Sequence, residues 1–66
     1  MAKYQVIIDD SIVKKVKEIH HLQMSAFGGL IPGFEIKEIF KKDGYTCVKF
    51  NNGDWYHYDL TAETWW

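Results

Sequence analysis

The side chains of this 66-residue chain best suited to chemistry are His20, His21 and His57, the Asp59 carboxylate, the Thr46 hydroxyl and one thiol, Cys47. His57 and Asp59 are two apart, a spacing that puts both on one face of a strand. A histidine oriented by a carboxylate beside a hydroxyl has the ingredients of acid–base or nucleophilic catalysis. Same-face neighbours on one strand rarely reach triad geometry, however, and no strained Gly-x-Ser-x-Gly elbow accompanies them. We read them as a polar edge on an aromatic face, expect no catalytic residue and class the chain as non-enzymatic. Adjacent His20 and His21 diverge by about 100° on a helix, and one cysteine is no zinc framework. No metal or cofactor is therefore expected. The run Gly28-Gly29-Leu30-Ile31-Pro32-Gly33 lacks the lysine and serine or threonine of a phosphate-binding Walker loop.

Positioning these groups requires a fold close to the lower size limit for a chain without disulfides. Residues 1–66 make a single small domain. Hydrophobic residues are 47% of the total and the net charge is −1, which argues against a disordered tail or a basic nucleic-acid binder. All eight cationic residues are lysine, so the bidentate phosphate recognition typical of arginine is missing and nucleic acid is a disfavoured partner. The lone cysteine excludes an internal disulfide, and the N-terminal region lacks the apolar run of a signal peptide. A cytoplasmic location is the expectation. No stretch approaches the roughly twenty apolar residues needed to span a bilayer, so no membrane association is expected.

The segment Tyr4–Ile8 is β-branched enough for a strand, and Asp9-Asp10-Ser11 then offers capping oxygens for a helix beginning near Ser11. Helical spacing places Ile12, Val13, Val16, Ile19, His20, Gln23, Met24 and Phe27 in one stripe, ended by Gly28-Gly29. His20 and Gln23 inside that stripe need hydrogen-bond partners, and His20 reads as a satisfied core histidine. Strands follow over 34–42, 45–50 and 55–60. Asp43-Gly44 suits a type I′ turn, and Asn51-Asn52-Gly53-Asp54 contains a second tight turn. The expected fold is α+β, in the order β-α-β-β-β, with one amphipathic helix on one face of a small, mainly antiparallel sheet.

The turns fix register, and register assigns faces. With Asp43-Gly44 as the loop, Lys42 pairs with Tyr45, Phe40 with Cys47, Ile39 with Val48 and Glu38 with Lys49. Closing the second turn with Phe50 opposite Trp55 pairs Val48 with His57 and Thr46 with Asp59. One face then carries Phe40, Tyr45, Cys47, Tyr56, Tyr58 and Leu60, which we assign to the helix. The other carries Ile39, Thr46, Val48, Phe50, Trp55, His57 and Asp59. A single helix covers only one face, so Val48, Phe50, Trp55, His57 and Asp59, joined by Trp65 and Trp66, form the candidate surface for a partner or ligand. An offset of one residue at either turn would flip the strand beyond it.

The last twelve residues hold five of the eleven aromatics, and rings of this kind are enriched at binding surfaces. The segment from Val48 to Asp59, about a fifth of the chain, is similar to the β-hairpin of many small bacterial and phage proteins, including KTSC-type domains. The Lys-Thr-Ser-Cys motif is absent, and too few residues follow for the helix expected after such a hairpin. In its compact, arginine-free, aromatic-rich character the chain also resembles phage accessory proteins that bind and disable a host or defence component. The expected function is engagement or inhibition of a protein partner through an aromatic sheet face, with a homodimer as one form of that contact. The alternative is an oligomeric protein that binds a small nucleotide-like ligand, its rings stacked on the aromatics and its polar groups met by His57, Lys49 or Asp59.

Overall fold

In the computed structural model, which describes residues 5–6 and 9–66, one helix packs on a five-stranded antiparallel sheet of order β1-β2-β3-β4-β5. The elements are β1 (Gln5–Val6), α1 (Asp10–Ala26), β2 (Ile36–Lys42), β3 (Tyr45–Phe50), β4 (Trp55–Asp59) and β5 (Thr64–Trp65). Tyr4, Ile7 and Ile8 of the expected first strand lie outside the described residues.

Helix α1 starts where its capping chemistry dictates. Asp9 is the N-cap, its Oδ1 accepting from the Ser11 and Ile12 amides at 2.9 and 3.2 Å. The Ser11 hydroxyl also donates to it, and with those amides holds the carboxyl below its ordinary range. At the other end the Gly29 amide donates to Met24 O at 2.8 Å and the Gly28 amide to Ser25 O at 3.2 Å. This Schellman pair needs a left-handed residue after the cap, which Gly28 supplies at φ 103°. The apolar stripe faces the sheet as expected: Val16, Ile19, Gln23 and Met24 are buried, and Ile12 and Val13 pack beside them.

The first hairpin follows the expected register. Asp43 and Gly44, at φ 55° and 83°, form the loop, with Lys42 opposite Tyr45 and Ile39 opposite Val48. A bulge at Lys37 sets Ile36 against Phe50 and Glu38 against Lys49, so Ile36 as well as Ile39 packs toward the core.

The second hairpin differs by one residue from expectation. Phe50 pairs with Asp54, its amide donating to Asp54 O at 2.9 Å, while the Gly53 amide donates to Phe50 O at 3.0 Å. The loop is thus the three residues 51–53, with Gly53 left-handed at φ 94°. Lys49 consequently faces Trp55, Val48 faces Tyr56 and Thr46 faces Tyr58. Strand β4 is flipped relative to the expected pairing. Val48, Phe50, Tyr56 and Tyr58 therefore share the helix-covered face, and the core comprises Val16, Ile19, Ile39, Val48, Phe50 and Tyr58, with Phe34, Leu60 and Trp65 packed against it. Each such side chain gains roughly 1.5–3 kcal/mol from burial, which is why the helix settles on this face.

Strand β5 has no counterpart among the expected elements. Its loop, 60–63, carries neither glycine nor asparagine, and it closes with Glu63 at φ 58° and the Glu63 amide donating to Asp59 O at 2.8 Å.

Candidate functional site

The sheet face opposite α1 carries a connected set of rings. Alternation along β2, β3 and β4 puts Phe40, Tyr45, Cys47, Trp55 and His57 there, and pairing of β4 with β5 adds Trp66. Phe40 and Trp55 have centroids 5.9 Å apart, Trp55 and His57 5.0 Å, and His57 and Trp66 4.8 Å. The last two rings are stacked at 4°, and Tyr45 meets both edge-on, at 5.7 Å from His57 and 5.3 Å from Trp66. Edge-to-face and offset contacts of this kind hold rings at fixed angles, so the face is preorganised. It is open at its edges, where Trp55 is 41% exposed, Tyr45 50%, Val6 51% and Trp66 52%, while Phe40 is buried at 5%.

Of the seven residues singled out from the sequence, Trp55, His57, Asp59 and Trp66 lie on this open face. The other three require correction. Val48 and Phe50 are fully buried beneath α1, and Trp65, opposite Tyr58, points to the same side and meets Phe27 edge-on at 6.4 Å. The cause is the three-residue second loop, which moves β4 across by one position. Phe40, Tyr45 and Cys47, assigned to the helix side from the sequence, take their place. The signal that could have found them is Asn51-Asn52-Gly53, with glycine at the third loop position, where a three-residue hairpin needs its left-handed residue.

The His57, Asp59 and Thr46 groups do not converge. Thr46 is paired with Tyr58 and belongs to the helix side of the sheet. Asp59 Oδ1 is occupied by its own turn, accepting from the Thr61 and Ala62 amides at 3.0 and 2.9 Å. His57 Nδ1 sits 3.3 Å from Trp66 O, and since that main-chain oxygen only accepts, this nitrogen is the donor. The ring is thus oriented by a main-chain oxygen rather than by the Asp59 side chain. Cys47 lies under the aromatic layer at 0% exposure, and burial pushes its thiol upward, away from the thiolate form. Among the described residues, no three His, Cys, Asp or Glu side chains lie close enough to share a metal ion.

Two lysines complete the face. The Lys42 ammonium lies 4.9 Å from the centroid of Trp55, and Lys49 is directly opposite Trp55 on β3. With Phe40 and Gly53 they bound a shallow depression of about 340 Å³.

Elsewhere, the His20 ring is half-buried, stacked on Phe50 at 5.8 Å, and Nε2 donates to Phe34 O at 2.7 Å. It is satisfied by backbone, as expected, but at the rim of the core. Gln23 Oε1 accepts from the buried Tyr58 hydroxyl, while its Nε2 has no hydrogen-bond partner among the described residues.

The chain matches no protein-family model, and neither a curated protein nor a solved structure is significantly similar to it. Among the described residues, no helix is long and apolar enough to cross a membrane.

Proposed function

We propose that this chain is a non-enzymatic binding protein that engages a protein partner through the open face of its sheet. The observation behind this reading is the connected ladder of Phe40, Trp55, His57, Trp66 and Tyr45, of which Trp55, Tyr45 and Trp66 remain exposed although a helix is available to cover the opposite side. Tryptophan and tyrosine are the residues most enriched among binding hot spots, because they bury a large area at little conformational cost. The mode of action is occlusion, by which a small rigid protein covers a surface that its partner needs, as an accessory or inhibitory protein of phage type would. The compartment is the cytoplasm, where one buried cysteine needs no oxidised partner.

The test is retention of a protein from the source cell on the immobilised chain, compared between variants of the two faces. Trp66→Ala should weaken retention by on the order of 2 kcal/mol, about thirtyfold, whereas Lys14→Ala and Lys17→Ala on the exposed side of α1 should leave it unchanged. Loss that follows the helix variants instead would sink the reading.

The depression between Phe40, Lys42, Lys49 and Trp55 supports a second reading, a site for a planar ring bearing an anionic group, such as a nucleotide. That reading requires thermal stabilisation by nucleoside monophosphates, abolished in Trp55→Ala.

A further inference from the structure

The connection from α1 to β2, which holds the run Gly28-Gly29-Leu30-Ile31-Pro32-Gly33, leaves a cleft against the second half of the helix. Its volume is about 280 Å³, with apolar walls that include Met24, Leu30, Ile31 and Phe34 and two polar side chains, His20 and Glu35. None of these residues belongs to the aromatic face. Met24 is buried in the body of the protein, whereas Leu30 lines the cleft while 88% exposed. One exposed leucine needs no explanation by itself. Its place beside a concave apolar wall is the informative point, because an occupant of the cleft would withdraw that side chain from water.

Both polar side chains are fixed by bonds to the protein, and both keep capacity to spare. Glu35 Oε2 accepts from the Gly33 amide and Oε1 from the Asn51 side-chain amide, each at 3.2 Å. These bonds, that from Asn51 foremost, hold the carboxyl below its ordinary range, so it is ionised at neutral pH. A carboxylate has about four acceptor positions, and two bonds leave one open on each oxygen. Among the described residues Glu35 has no ion-pair partner. The His20 ring, stacked on Phe50, donates through Nε2 to Phe34 O, and in the neutral ring Nδ1 is then an acceptor. The side chains of the cleft thus offer acceptors, one of them with a full negative charge, and no free donor.

We propose that this cleft binds a short primary alkylammonium, its carbon chain along Met24, Leu30, Ile31 and Phe34 and its charged end received by Glu35 and His20. An ammonium brings three donors and a positive charge, which is what the side chains of the cleft lack. An alcohol of the same length brings one donor and no charge, and a fatty carboxylate is repelled by Glu35. Size limits the chain. At about 280 Å³ the cleft falls at the lower end of the range for small-molecule sites, roughly 300–1,000 Å³, so it suits one chain of about five carbons rather than a ring system. Six non-hydrogen atoms, at an efficiency between the limits for the smallest and for drug-sized ligands, give a Kd on the order of 1 mM.

The test is a titration of the isotope-labelled chain with n-pentylammonium chloride at constant ionic strength, followed by amide chemical shifts, with pentan-1-ol and pentanoate as matched probes. Saturable shifts should centre on residues 30–35 and on the helix around His20 and Met24. Pentan-1-ol should bind at least about threefold more weakly, and Glu35→Gln should bring the amine down to the alcohol's affinity. Leu30→Ser should weaken both probes, and its side chain is too exposed for the change to unfold the chain. Leu22→Ser, exposed on α1 outside the cleft, and Trp66→Ala on the aromatic face should leave binding unchanged. The spectrum of each free variant checks its fold, and Leu30→Ser decides the matter if Glu35→Gln disturbs the loop. Equal affinity for amine and alcohol overturns the proposal, as does saturation with shifts elsewhere or binding indifferent to Leu30→Ser. Tighter binding of Nα-acetyl-lysine amide than of pentylammonium also overturns it, since the cleft would then be a seat for a side chain of another protein.

Discussion

His57 and Trp66 are at once a hydrogen-bonded backbone pair and a parallel ring stack, centroids 4.8 Å apart. The pairing that creates β5 thus also finishes the open face. A two-residue strand would be a marginal edge by itself. Stacked rings contribute about 0.5–1.5 kcal/mol beyond area burial, enough to hold such an edge in place.

Phe50 and Trp66 should respond differently to truncation. Phe50 is fully buried, and Phe50→Ala should cost about 3–5 kcal/mol, a large share of the several kcal/mol available to a domain this size. Trp66→Ala, which removes a half-exposed ring, should cost about 1 kcal/mol. Urea unfolding of both variants checks this, and equal costs would place Phe50 outside the core.

Gly53 bears the register of β4. Added atoms meet nothing there, so the cost of Gly53→Ala is purely conformational, arising from φ 94°. We expect a loss of about 1 kcal/mol or more, with no change in the aromatic near-ultraviolet signature. A neutral Gly53→Ala would mean that the three-residue loop does not need its left-handed residue.

Tyr58 and Gln23 are a buried polar pair in which, among the described residues, neither N–H of the Gln23 amide has an acceptor. Tyr58→Phe should cost about 1–3 kcal/mol by leaving Gln23 Oε1 unsatisfied, and adding Gln23→Leu should recover much of the loss. Burial, chiefly, and the neighbouring Tyr56 raise the Tyr58 phenol above its ordinary value of 10.0. Above that pH the unfolded chain releases a proton that the folded chain retains, so stability falls as pH rises. It is fully present below pH 10.0. In Tyr58→Phe the slope above this pH should be shallower, read from denaturation midpoints across the alkaline range.

Glu63 combines a left-handed backbone, φ 58°, with a side chain that pairs with Lys15 of α1 at 2.5 Å. The two effects separate by substitution. Glu63→Ala loses the ion pair and keeps the strain, whereas Glu63→Gly loses both, so the glycine variant should be about 1 kcal/mol more stable than the alanine variant. Equal stabilities in thermal unfolding would contradict the strain.

Helix α1 was legible because period, cap and terminator agree: the apolar stripe from Ile12 to Met24, Asp9 before it and Gly28-Gly29 after it. The first hairpin was legible because Asp43-Gly44 suits a tight turn of one size. The second loop was not, since Asn51-Asn52-Gly53-Asp54 can close with Phe50 opposite either Asp54 or Trp55, and its local chemistry hardly separates them. Strand β5 is not legible in the sequence because Glu63 takes the left-handed position that glycine or asparagine would ordinarily advertise.

Local sequence therefore determined the elements, their order and which residues within each strand share a side, because capping, turn conformation and alternation act over a few neighbours. It also marked Trp55, His57, Asp59 and Trp66 for the surface, but together with Val48, Phe50 and Trp65, which lie on the helix side. Only tertiary packing decided which side of β4 lies with which side of β3. Burial of Val48, Phe50, Tyr56 and Tyr58 together under α1 outweighs what the loop alone can specify, and a shift of one residue exchanges the buried and open faces. The aromatic face is the remainder of that choice: Phe40, Tyr45, Trp55, His57 and Trp66 lie where the helix is not.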